Sequence, residues 1–89
     1  MNGVWIFHGE SSRFASGVFT SRETAAAWIK LHSLTGVLTL YPVDVGVFDW
    51  ALMEGFFQQK QAHHTSPQFI GSFTSASQEH YHFENGSEA

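Results

Sequence analysis

No cysteine occurs anywhere in this chain of 89 residues, and that absence narrows what it can fold into. Disulfides, thiolate zinc sites and cysteine nucleophiles are all excluded. A chain of this size buries roughly 60–65% of its unfolded surface, so apolar packing has to hold the domain alone. The means are nine Phe, three Trp and two Tyr, each removing roughly 150–250 Å² from water when fully buried. Hydrophobic residues make up 43% of the chain and charged residues 13%, a balance that disordered chains do not have. A single domain over residues 1–89 is expected, ordered over roughly 3–84, with a polar tail from Asn85 to Ala89 that frays.

Hydrophobic periodicity predicts the elements. Val4-Trp5-Ile6-Phe7 reads as a strand, closed by the loop His8 to Ser12, and Gly17-Val18-Phe19 as a second strand pairing antiparallel with it. Thr20-Ser21-Arg22-Glu23 fits a capping box with Thr20 as the cap. Ala25, Trp28, Ile29 and His32 then fall on one stripe of a helix, with Gly36 placed to take a left-handed conformation past its end. Val37 to Tyr41 is a further strand, which Pro42 stops or confines to an edge. Asp44 caps a second helix over Val45 to Glu54, ended by Gly55. Ser66-Pro67 marks a short helix start, with a turn or a strand through Phe69-Ile70. Gln78 to Glu84 alternates: Gln78, His80, His82 and Glu84 take one side of a strand, Glu79, Tyr81 and Phe83 the other. The fold class is α+β, a small mostly antiparallel sheet in the order β-β-α-β-α-(α)-β with helices packed on one face.

Charge excludes several functions. Four Lys and Arg against eight Asp and Glu give a net charge of −4. Arg13, Arg22, Lys30 and Lys60 are scattered, whereas nucleic-acid binding needs basic side chains clustered on one face. No stretch approaches the ~18 apolar residues of a membrane span. Met1 to Glu10 has no basic segment followed by an apolar run, which argues against a signal peptide and for the cytoplasm.

Two candidate sites remain. His80 and His82, two apart on a strand, share a face and can bind zinc or another divalent transition metal if a third ligand converges, His8 being one candidate. Against this, half-exposed strands commonly carry polar side chains at alternate positions. The second candidate is aromatic. Phe48 and Trp50 point apart on a helix, and fourteen aromatic side chains exceed what one small core readily hides, although small domains do reach adequate burial this way. Trp50, Phe56 and Tyr81, with Asp49 and Glu54 among a wider acidic rim, form the candidate partner-binding set. No Gly-x-Ser-x-Gly elbow, dinucleotide fingerprint or Walker motif is present, so catalysis has no support in the sequence.

The strings Ser16-Gly17-Val18-Phe19-Thr20-Ser21, Gly36-Val37-Leu38-Thr39, Tyr41-Pro42-Val43-Asp44 and Asp49-Trp50-Ala51 carry a resemblance, as do Ser66-Pro67, Phe69-Ile70-Gly71 and Ser75 through His82. Over roughly residues 4–86 the chain resembles a family of small bacterial proteins known only as a domain of unknown function. The resemblance implies a bacterial, stand-alone, soluble protein and assigns no activity or site residues. The reading that follows is a non-enzymatic protein-binding module of the immunity or antitoxin kind, with a basic partner and no cofactor. Its alternative is a metal-binding protein using His80 and His82. Self-association through an edge strand such as Val37 to Tyr41 is compatible with either.

Overall fold

The computed structural model describes residues 2–89. Strands β1 (Gly3–Gly9), β2 (Ala15–Phe19), β3 (Gly36–Pro42), β4 (His80–Glu84) and β5 (Ser87–Glu88) form one antiparallel sheet in the order β2-β1-β3-β4-β5. Helix α1 (Arg22–Leu31) covers one face, and α2 (Val47–Met53), a 3-10 turn at Ala62–Thr65 and α3 (Pro67–Gly71) lie between β3 and β4 in the chain. The α+β class and the antiparallel pairing are as the sequence predicts. Among the described residues no helix is long and apolar enough to cross a membrane.

Period-two alternation places Trp5 and Phe7 of β1, Leu38 of β3 and Phe83 of β4 on the face that meets Ala25 and Ile29 of α1. Those six buried residues are the main core, and Phe19, Trp28 and Tyr81 pack around it. A second aromatic group gathers Phe48 of α2 with Phe57, Phe69 and Phe73, at ring separations of 5.0–6.3 Å. Trp50 turns away from that group toward Phe56, so the divergence of Phe48 and Trp50 expected from helical geometry is what the fold uses.

Several boundaries differ from the sequence reading, each for a physical reason. Ser21, one residue beyond Thr20, caps α1 by accepting from the Thr24 amide at 3.1 Å. Ser33, at φ 53°, takes the left-handed position after α1 that Gly36 was expected to take. The Leu34 amide then reaches Ile29 O and the Ser33 amide Lys30 O, closing a Schellman end. Gly36 is instead buried inside β3, where a side chain would meet Phe7 Cζ at 2.7 Å and Gly9 Cα at 2.9 Å. Asp44 turns the chain at φ 63° rather than capping α2, whose N-terminus is Gly46.

The segment Val37 to Tyr41 is no edge. It pairs with β1 on one side and β4 on the other, and Pro42 merely ends it. Gln78 precedes β4 and is 2% exposed, so it is no member of an open polar face. In the polar tail, Asn85 (φ 50°) and Gly86 (φ 89°) make a tight turn that folds β5 back on β4. Ser66 and Pro67 do start α3, with Ser66 Oγ accepting from the Phe69 amide at 3.1 Å.

The two crowding situations of glycine predict opposite outcomes. Gly36→Ala is expected to lose about 1–3 kcal/mol through overpacking against β1. Gly71→Ala, at the end of α3 with nothing within 4 Å of the added carbon, is expected to gain about 0.4–1 kcal/mol from reduced unfolded-state entropy. Urea denaturation of the two variants beside the wild type measures both.

Candidate functional site

Helix α2 ends at Gly55, whose positive φ of 79° closes a Schellman motif: the Phe56 amide donates to Ala51 O at 2.8 Å and the Gly55 amide to Leu52 O at 3.2 Å. This motif characteristically folds the residue after the glycine back onto the last full turn of the helix. Here it brings Phe56 onto Trp50, with ring centres 5.4 Å apart. Trp50 is 8% exposed and Phe56 50%. The pair therefore presents a fixed aromatic surface of which Phe56 is the open part.

That surface forms one wall of an open cleft of about 540 Å³. Leu40 and Val45 supply apolar lining, and Glu54 and Glu79 line the same cleft. None of its lining residues is basic. Glu54 follows from the helix that carries Trp50. Glu79 arrives from the other end of the chain, because β3 extends past β4. The Leu40 amide donates there to Glu79 O at 2.9 Å, and the Leu40 carbonyl accepts from Gln78 Nε2 at 3.2 Å. Gln78 Oε1 in turn accepts from the Ser75 amide at 3.1 Å.

A short relay fixes the Glu79 side chain. The Tyr81 hydroxyl donates to Glu79 Oε2. The Arg22 guanidinium lies 3.4 Å from the centre of the Tyr81 ring and donates to Glu88 Oε1 at 2.9 Å. Arg22–Glu88 is the ion pair found among the described residues, so neither Glu54 nor Glu79 is neutralised by a salt bridge there. The Tyr81 phenol is held above its ordinary value first by the bond to Glu79 and then by desolvation, with Arg22 pulling the other way.

Of the residues singled out in the sequence, the fold thus brings Trp50, Phe56 and Glu54 into one cleft and attaches Tyr81 to it through Glu79. Asp49, exposed on α2, is not among the lining residues. The relay ends in β5, in the stretch expected to fray. Glu79 lies outside the candidate set read from the sequence, although strand alternation places it on the side of Tyr81.

The histidines are arranged differently. His80 and His82 are exposed on the face opposite the main core, with ring centres 5.5 Å apart. His8 shares that face but is separated from His82 by Val37, each pairing with it from opposite sides. At two strand spacings, about 9.5 Å, His8 lines a cleft with His82 without completing a three-ligand centre. Its Nε2 donates to Ser12 O instead. Among the described residues no three His, Cys, Asp or Glu side chains converge as a metal centre. His64 is used structurally: its Nδ1 accepts from the amides of Lys60 and Gln61, and its ring packs 4.8 Å from Phe69.

A family model described as a domain of unknown function (DUF7710) matches residues 4–89. No curated protein and no solved structure matches the chain.

The relay gives a sign that can be checked. A phenol raised in the folded state contributes stability that is complete below the unfolded value of about 10 and is lost as pH rises through the higher folded value. In an ultraviolet pH titration, Glu79→Gln is expected to let one of the two tyrosines ionise at lower pH than in the wild type. An unchanged curve would show that the carboxylate does not hold the phenol.

Proposed function

The chain belongs to that family, whose description assigns no chemistry, and we propose that it is a non-enzymatic protein-binding module whose acidic and aromatic cleft takes a basic side chain of its partner. The observation that carries this reading is the meeting of Trp50, Phe56, Glu54 and Glu79 around one cleft without a basic lining residue. A guanidinium or ammonium group laid on Phe56 gains from the ring face and from two carboxylates at once. The aliphatic stem of the same Lys or Arg covers Leu40 and Val45.

Ring geometry says how the cation enters. Trp50 and Phe56 are 5.4 Å apart and inclined at 54°, already in contact with one another. Nothing fits between them, so the cleft is no cage for a quaternary ammonium, and the charge sits on the outer ring toward the carboxylates. Val43, 39% exposed and lining the cleft, adds apolar area for a residue flanking the basic one. The net charge of −4 steers a basic partner toward the protein at low salt.

The test uses peptides carrying a single Arg or Lys among apolar residues, beside counterparts with citrulline or norleucine at that position. Basic peptides are expected to shift the Trp50 indole and Phe56 resonances, with an affinity that falls as salt rises. Phe56→Ala and the double change Glu54→Gln/Glu79→Gln are each expected to weaken binding by more than about 1 kcal/mol. A panel in which the basic and neutral peptides behave alike would overturn the reading.

A further inference from the structure

Two imidazoles on one tetrahedral ion, with metal–nitrogen bonds of about 2.0–2.1 Å, hold their ring centres about 5 Å apart. His80 and His82 stand at 5.5 Å with their planes at 81°. Strand alternation keeps both on the same face, and both are exposed. The pair is at chelating separation before any ion arrives.

Ring orientation supports the same use. His80 Nδ1 lies 2.6 Å from the Gln78 carbonyl oxygen. A carbonyl only accepts, so Nδ1 carries a proton, and in the neutral ring Nε2 is the nitrogen with the lone pair. This is the outer hydrogen bond that characteristically fixes the tautomer and direction of a metal-bound histidine. The acceptor is itself well held, since Gln78 is 2% exposed and its side chain is bound at both ends. His82 makes no side-chain hydrogen bond among the described residues. Across the ladder stand Thr39, opposite His80, and Val37, opposite His82, neither of them charged. Glu84 is the next residue on that face of β4.

We propose that His80 and His82 form an open two-imidazole chelate for a divalent transition-metal ion, its remaining positions filled by water. Because the chain supplies two nitrogens and no third ligand converges, the ion is presented at the surface rather than enclosed, and it exchanges freely. Among first-row ions Cu²⁺ binds such a nitrogen pair most tightly, with Ni²⁺ and Zn²⁺ weaker. The adjacent pair His63 and His64, with ring centres 4.5 Å apart, is the internal comparison: His64 already spends Nδ1 on two backbone amides.

The experiment titrates Zn²⁺ into the chelator-treated protein while the histidine ring resonances are followed, and repeats the titration with Cu²⁺ by electron paramagnetic resonance. The expected result is that His80 and His82 respond first and together, with nitrogen coordination in the copper spectrum. His80→Ala and His82→Ala should each weaken binding at least about tenfold, the scale on which metal sites answer to a lost contact, while His63→Ala leaves it unchanged. Both positions are exposed, and circular dichroism of each variant checks that the fold persists. Binding that survives either substitution, or that appears first at His63 and His64, would overturn the proposal.

Discussion

Strand β3 is hydrogen-bonded along both sides but unequally, and the arrangement of the molecule depends on that inequality. Its pairing with β1 runs from Gly36 to Pro42, whereas its pairing with β4 ends at Thr39. Beyond Thr39 the backbone of Leu40 needs partners from somewhere else, because a buried polar group left unpaired costs about 1–3 kcal/mol. The chain supplies them from the residues just before β4, with the Glu79 carbonyl taking the Leu40 amide and the Gln78 side chain taking the Leu40 carbonyl. No buried side-chain nitrogen or oxygen among the described residues is left without a partner. The cleft opens where β4 stops short, and Glu79 stands in it for the same reason.

Local signals in the sequence were read well wherever a single interaction decides the outcome. Alternation along Val4 to Phe7 and along Tyr81 to Phe83 placed the core face, and Ser66-Pro67 and Gly55 marked a helix start and a helix end. Legibility failed where a residue type serves two purposes. Gly36 can end a helix or let strands approach, and Ser33 does the first while Gly36 does the second. Asn85-Gly86 is a strong hairpin signal, yet the strand after it has two residues and no apolar side to announce it.

The site was half legible for a related reason. Trp50, Phe56 and Glu54 are neighbours in sequence, and the helix geometry with its Schellman end is enough to assemble them. Glu79 joins them through long-range bonds to Leu40, one from its own carbonyl and one from the side chain of Gln78, 38 residues from Leu40. Most of what looked like an aromatic surplus resolves into three uses: a main core under α1, a second cluster around Phe48, and the Trp50–Phe56 pair, of which Phe56 is open; Phe14, 73% exposed, stands apart.

Gln78 connects the two surfaces that carry chemistry. Its side chain bonds the end of β3, its carbonyl orients His80, and the residue between them is Glu79. Side chains alternate along an extended segment, so Glu79 takes the side of Tyr81, where it lines the cleft, while His80 goes to the opposite face with His82. A single buried amide thereby fixes the start of β4 for both. The acidic side of the cleft and the imidazole pair share this support without sharing a side chain, so the geometries of the two surfaces depend on the same hydrogen bond.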